Sequence, residues 1–301
     1  MGEVPHEPIW KRWFEDIGGQ VYRGCRPETQ EGSDDCGAHL HSLGPDAPGG
    51  PIAAQHLFNV YTHPPKGFEE FGKGSIFRGY EISQRAKTWW LYSSAAMYAL
   101  VHAAVHNPTN GFFVFLSESC VPLYPAQLVY LQVIHEAKSR LNPGCRGAPD
   151  FGRHPSPPSY RRRLAEDEEH MEWHEVTSGQ WVLLNRAHAL AVDRHPQNRL
   201  LWLRDESYLA TLLHTLGLEN ETTCDWQGPT YAEWWPPGDY HPLAYEHFGA
   251  VGGANWGGAA PYTRMAETCP LFMRKVMPAA TADVICLLWP ASNDTDFPDL
   301  S

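Results

Sequence analysis

The stretch that decides the fold is Phe112-Phe113-Val114-Phe115-Leu116-Ser117-Glu118-Ser119-Cys120-Val121-Pro122-Leu123-Tyr124. Five apolar residues, aromatic and branched, run without interruption after Gly111, which predicts a strand buried on both faces. Ser117, Glu118 and Ser119 follow at its carboxyl end, and Pro122 stops the run. In open α/β sheets, ligands bind in the crevice outside the carboxyl ends of the strands. One acid and two hydroxyls therefore fall where a site is expected. The same residues also fit a core strand ending in a polar turn, and the stretch alone leaves both readings open.

Outward from this strand, helix and strand patterns alternate. Residues 90–106 are apolar around most of a helix surface and predict a largely buried helix that ends at Asn107-Pro108. A helix over about 125–140 follows the central strand. Gln180–Leu184 is the next strand and Arg186–Arg194 the next helix, and Asp205 caps an amphipathic helix carrying Tyr208, Leu209, Leu212 and Leu213. Leu57–Thr62, Phe77–Tyr80 and Thr222–Trp226 predict further short strands, and residues 8–16 a short helix. Residues 18–52 and 142–160 are rich in Gly and Pro and predict loops, residues 227–262 little regular structure, and residues 279–301 a tail. The alternation points to one α/β domain over 1–301.

The totals exclude several classes. A chain of 301 residues can bury one large core, and its net charge of −12 argues against nucleic acid as a partner. The run Glu166-Asp167-Glu168-Glu169 reads as a solvated face. Twelve Trp suit either a protein that stacks sugar rings or a Trp-rich core. The seven Cys include no C-x-x-C pair, which argues against structural zinc. Cys25 and Cys36 flank a loop and would bridge in an oxidising compartment. No apolar run approaches the length of a membrane span, and residues 1–30 lack a signal peptide's apolar region.

Ser117-Glu118-Ser119 sits where nucleotide-sugar enzymes commonly place an Asp-x-Asp metal motif, but serine is a weak ligand for a hard cation. The chain's Asp-x-Asp, Asp294-Thr295-Asp296, has no strand before it. A metal is therefore not expected. Without one, a diphosphate leaving group needs cationic side chains, and Arg274-Lys275 and Arg161-Arg162-Arg163 are the candidates. Glu206, in the first turn after Asp205, is placed to stay ionised and act as a base, or simply to favour the helix dipole. Gly179 in Ser178-Gly179-Gln180-Trp181 permits close approach of a ligand, and Trp226 in Cys224-Asp225-Trp226-Gln227 is placed to stack on a sugar face. Either motif serves packing equally well.

Taken in order, Leu116–Tyr124, Ser178–Trp181, Asp205–Thr211, Asp225-Trp226 with His241-Pro242, and Leu271–Lys275 resemble the core-2/I-branching β-1,6-N-acetylglucosaminyltransferase family, glycosyltransferase family 14, above all its plant and algal branch. Weaker likeness lies in Pro8–Phe14, Val60–Pro64 and Ile82–Trp89. The resemblance implies a GT-A-type, Rossmann-like nucleotide-sugar fold: a mixed sheet flanked by helices. It implies metal-independent transfer with inversion, from a UDP-sugar to a glycan or glycoprotein acceptor. On that likeness Glu206 is the general base, and Lys275 with Arg274 holds the donor diphosphate. Glu118 and Ser119 line the donor site, and Val60, Tyr61 and His63 lie near uracil and ribose. Trp226, with Trp181 and Gly179, faces the acceptor sugar.

Relatives of this kind reside in the Golgi lumen behind an N-terminal membrane anchor, a stem and a first β-strand. On that likeness the present chain is expected to start after all three, with a sheet lacking that first strand and no membrane contact of its own. The 18–52 insertion separates segments that lie close in the family. Animal members carry a further diphosphate-binding Arg, for which Arg264 is the nearest candidate. Two other classes compete with the transferase: a catalytically inactive glycan-binding relative, and a glycoside hydrolase using Glu118 and Glu206 as its carboxylate pair.

Overall fold

The computed structural model describes residues 4–15, 57–86, 93–141, 176, 178–195, 204–223, 228–232, 242, 244–245 and 270–288. The chain divides into two compact units: one of residues 1–3, 59–117 and 133–230, the other of residues 4–58, 118–132 and 231–301. The described elements form a mixed α/β structure.

The first unit is built on a four-stranded sheet of β1 (Phe112–Val114), β3 (Ser139–Arg140), β4 (Leu183–Asn185) and β5 (Thr222–Thr223), in the order β1-β4-β3-β5. β4 runs antiparallel to β1 and β3, while β3 and β5 are parallel. Three helices belong with it: α2 (Ser94–Val105), α4 (Arg186–Arg194) and α5 (Asp205–Thr215). They share one core with the strands, in which Tyr98, Val101, Leu184, Val192, Leu209 and Leu212 are almost fully buried. α2 is Ala-rich, a strong helix former, and buries eight of its residues, as expected of a helix apolar nearly all round. Asn185 starts α4 by accepting the His188 N–H on its side chain at 2.9 Å. Gly217, at φ +71°, ends α5, and the Leu218 N–H reaches back to the Leu213 carbonyl at 2.8 Å, the glycine-terminated motif that only a residue without Cβ adopts cheaply.

The second unit holds α1 (Glu7–Glu15), β2 (Val121–Pro122), β6 (Thr230–Ala232) from Tyr231 on, β7 (Phe272–Arg274) and α6 (Thr281–Leu288), with sheet order β2-β7-β6. α3 (Ala126–Glu136) begins in it. Trp10, Trp13, Phe14, Phe58 and Phe272 form a continuous aromatic cluster in which Trp13 lies 4.7 Å from Phe58 and 5.5 Å from Trp10 between ring centroids. The Trp13 indole N–H donates to the Tyr124 carbonyl at 2.8 Å. These two Trp are core, which decides for them the alternative left open by composition.

Several elements differ from the sequence expectation. The 112–116 run is not buried on both faces: Phe113 and Phe115 are buried while Phe112, Val114 and Leu116 are half-buried, and β1 stands at one end of the described sheet order. Leu57–Thr62 and Phe77–Tyr80 are not strands. Only Thr62 pairs, in a single parallel bridge to Glu81, because Pro64 lacks the N–H that would extend the ladder and Gly79, at φ +85°, turns the other segment. The helix expected over 125–140 ends at Glu136, since Ala137 takes φ +57°, and Ser139-Arg140 then pairs as β3. Arg204 rather than Asp205 occupies the N-cap of α5. The expected tail from residue 279 contains α6, whose Val284, Ile285 and Leu288 are buried.

Candidate active site

In the first unit, two motifs 25 residues apart in sequence meet at the start of α5. Gln180 donates from Nε2 to Oδ2 of Asp205 at 2.8 Å, and the Ser178 N–H donates to the Glu206 carbonyl at 2.6 Å. The Ser178 hydroxyl adds a longer contact to the same carbonyl at 3.3 Å. One turn on, Thr211 Oγ1 accepts the Val176 N–H at 2.9 Å and donates to the Val176 carbonyl at 3.2 Å. The strand entering β4 is thus strapped along the helix that carries Glu206. Gly179, Trp181 and Glu206 are each half-buried. Glu206 stands in the first turn, where the helix dipole favours a negative charge.

Asp205 is the buried member, only 4% exposed. Its carboxylate takes the Ser93 hydroxyl at 2.6 Å as well as Gln180, and its second oxygen accepts the Glu206 N–H at 2.9 Å. Ser93 is the N-cap residue of α2, yet its side chain makes no cap bond. The sequence motifs mark Asp205 only as a cap and do not point to Ser93 or the Gln180 amide. The available signal is the recurrence of small polar residues at two helix starts.

His63, Val60 and Tyr61 also belong to the first unit and are half-buried. His63 accepts the Ala86 N–H on Nε2 at 2.9 Å, so that nitrogen carries no proton, and burial together with Arg85 holds the imidazole pKa below its ordinary value. The Tyr61 hydroxyl accepts from Asn110 Nδ2 at 3.1 Å.

The second unit contains Glu118, Ser119, Arg274 and Lys275. β2 and β7 pair Val121 with Met273 and Pro122 with Phe272. Beyond them the Val276 N–H donates to the Ser119 carbonyl at 3.0 Å, a register shifted by one residue. The extra residue falls within Arg274-Lys275, as in a β-bulge, a device that re-aims side chains. On the opposite side Tyr245, buried, donates its N–H to the Lys275 carbonyl and accepts from Met277, both at 2.8 Å. Lys275 is thereby fixed between the Ser119 segment and Tyr245. Lys275 and Ser119 are half-buried and Glu118 is exposed.

The model of the core-2/I-branching enzyme family matches residues 52–253. The chain belongs to that family. Its members are glycosyltransferases, so the motif resemblance drawn from the sequence holds at the level of family and of a transferase. The match covers His63, Glu118, the Ser178–Trp181 strap and Glu206, while Arg274 and Lys275 lie beyond its end. No curated protein matches the chain. Among the described residues no helix is long and apolar enough to cross a membrane. Trp226, Arg161-Arg162-Arg163, Arg264, Cys25, Cys36, His241 and Asp294-Thr295-Asp296 lie outside the described residues.

Proposed function

We propose that this core-2/I-branching family chain is an inverting, metal-independent glycosyltransferase of GT-A type. It moves a sugar from a UDP-sugar to a hydroxyl of a glycan or glycoprotein acceptor in the Golgi lumen. The observation that carries the reading is Glu206 in the first turn of α5, tied through its own backbone to the Ser178–Trp181 strap within the family match.

In this reading the Glu206 carboxylate takes the proton of the acceptor hydroxyl as its oxygen attacks the anomeric carbon. The attack comes from the face opposite the diphosphate, so the bond to UDP breaks as the new glycosidic bond forms and the configuration inverts. UDP leaves with the bonding electron pair. Lys275 and Arg274 neutralise the charge that develops on it, the task a divalent cation performs elsewhere. The family resemblance assigns Glu118 and Ser119, and separately Val60 and His63, to donor binding. Gly179, Trp181 and Trp226 receive the acceptor.

The test is calorimetric titration of UDP into the purified chain with EDTA present, followed by UDP-release assays with UDP-N-acetylglucosamine, UDP-xylose and UDP-glucuronic acid. Binding in EDTA and release with one donor support the transferase. Strict Mn²⁺ dependence overturns the metal-independent mechanism. UDP binding without transfer marks an inactive relative, and release of free sugar from a glycan without nucleotide marks a hydrolase.

A further inference from the structure

We propose that Asp205 is a positioning residue whose buried carboxylate locks the Ser178–Trp181 strap to the first turn of α5, so that the acceptor side and Glu206 move as one body. The proposal deepens the transferase reading and, in its kinetic part, rests on it. A buried carboxylate is costly unless its lone pairs are filled. Asp205 meets that demand with Ser93, Gln180 and the Glu206 N–H at 2.6, 2.8 and 2.9 Å. Gln180 Nε2 also reaches Ser93 Oγ at 3.2 Å, which closes a ring of three side chains.

The arrangement sets aside a local rule. Serine before a helix ordinarily accepts an N–H of the first turn, a contribution of about 1 kcal/mol. Ser93 instead turns its hydroxyl to Asp205 and leaves α2 without a side-chain cap. Asp205 likewise stands one position inside α5 rather than capping it. Two helix starts have each given up a cap, and both side chains converge on Gln180 of the strap. Departures from local preference of this kind concentrate at sites where geometry matters more than stability. With the Ser178 N–H on the Glu206 carbonyl and Val176 on Thr211, the strap is held at three heights along α5. Of these, the Asp205 contact lies nearest Trp181.

The experiment compares Asp205→Ala, Asp205→Asn, Gln180→Ala, the Asp205→Ala/Gln180→Ala double variant and Glu206→Gln with the parent chain. Amide exchange across 176–182 is expected to rise at least about tenfold in Asp205→Ala, the scale of one buried hydrogen bond to a charged group. Asn keeps an oxygen for Gln180 and should restore part of the protection. In turnover, Asp205→Ala should lower kcat about thirtyfold or more with the donor KM unchanged, and the double variant should be no worse, since both changes break one contact. Parent-like exchange in folded Asp205→Ala, or fully additive losses in the double variant, overturns the lock. If Asp205→Ala does not fold, Gln180→Ala and Ser93→Ala, which keep the carboxylate, decide the exchange arm in its place. The two readings fail separately: a parent chain without transfer, or an active Glu206→Gln, sinks the transferase mechanism, while parent-like exchange sinks the lock whatever the turnover.

Discussion

A base that acts on a sugar hydroxyl must be ionised before the acceptor arrives, and a residue that holds a diphosphate must be cationic and fixed. The proposed mechanism asks the first of Glu206, which stands in the first turn of α5, and the second of Lys275, whose backbone is held between two strand-like segments. Their substitutions should therefore separate. Glu206→Gln keeps size and polarity but removes the base, and kcat should fall about 10²- to 10⁴-fold. Its UDP affinity, read by calorimetry, should stay within about twofold. Lys275→Ala should do the reverse to binding, weakening UDP about tenfold or more, as expected for a lost charge-assisted contact. A Glu206→Gln variant that keeps most of its turnover takes Glu206 out of the chemistry. Another constellation in the first unit has the composition of a nucleophilic triad: Ser139, His188 and Glu221. It is not placed for that work. Ser139 is fully buried, its oxygen accepts the Asn185 N–H at 2.8 Å, and it shares a second hydrogen bond with His188 Nδ1 at 2.7 Å. These contacts tie β3 to the start of α4.

At the scale of elements, Arg186 has no counterpart in the motifs. It opens α4 but reaches the far end of α2, donating to the carbonyls of Val105, Asn107 and Asn110 at 3.0, 3.1 and 2.8 Å. A guanidinium there meets the negative end of the helix dipole and gathers the carbonyls of the turn that follows α2. Arg186→Ala should cost about 2 kcal/mol. The midpoint of urea unfolding would fall with the slope unchanged, and Arg186→Lys should recover little because it lacks the fork. An unchanged midpoint would mean that water serves these carbonyls equally well. The contrast with α2 and α4 themselves explains what was legible in the sequence. Continuous apolar periodicity and the Asn107-Pro108 stop announce α2, and the Arg186–Arg194 helix is read to the residue, because those signals are local. β3, two residues long after a left-handed Ala137, has no local signal and exists only through β4 and β5. The Thr62 segment departs in the opposite sense, a strand-like run undone by Pro64 and by Gly79 in the segment it meets. In the site, Glu206 and the Ser178–Trp181 motif are legible as separate pieces. Their union by Gln180 and Ser93 is not, since hydrogen bonds across 25 and 87 residues leave no periodicity to read.

At the scale of the whole molecule, acidity is the condition to which the chain should respond. His6 of the second unit is fully buried, with Nε2 donating to the Val276 carbonyl at 2.8 Å and Nδ1 left to accept from Thr281 Oγ1 at 3.1 Å, which fastens the start of α1 to the start of α6. In the first unit His63 likewise spends a ring nitrogen as an acceptor, and His188 is fully buried with Nδ1 hydrogen-bonded to Ser139. Burial is the main cause that lowers the pKa of all three below 6.5, opposed at His188 by Glu221 and at His6 by the Val276 carbonyl. The sign follows from proton counting. Below pH 6.5 the unfolded chain takes up protons at these positions before the folded chain does, so stability falls as pH falls through that range. Above it neither state binds them, and the contribution is flat. The net charge of −12 works the other way, because protonating exposed groups relieves a self-repulsion that is stronger in the compact state, but ordinary carboxylates titrate at about pH 4 and contribute little of that relief between pH 6.5 and 5.5. Thermal unfolding at pH 7.5, 6.5 and 5.5 should therefore show a midpoint that is level across the first interval and drops across the second. His6→Gln and His188→Gln should each start from a lower midpoint and lose less of it on acidification. Because the two histidines lie in different units, a scan that resolves two transitions should assign the His6 change to one and the His188 change to the other. A midpoint that holds or rises between pH 6.5 and 5.5 would mean that the buried imidazoles find acceptors when protonated, and that the acid sensitivity assigned to both units is wrong.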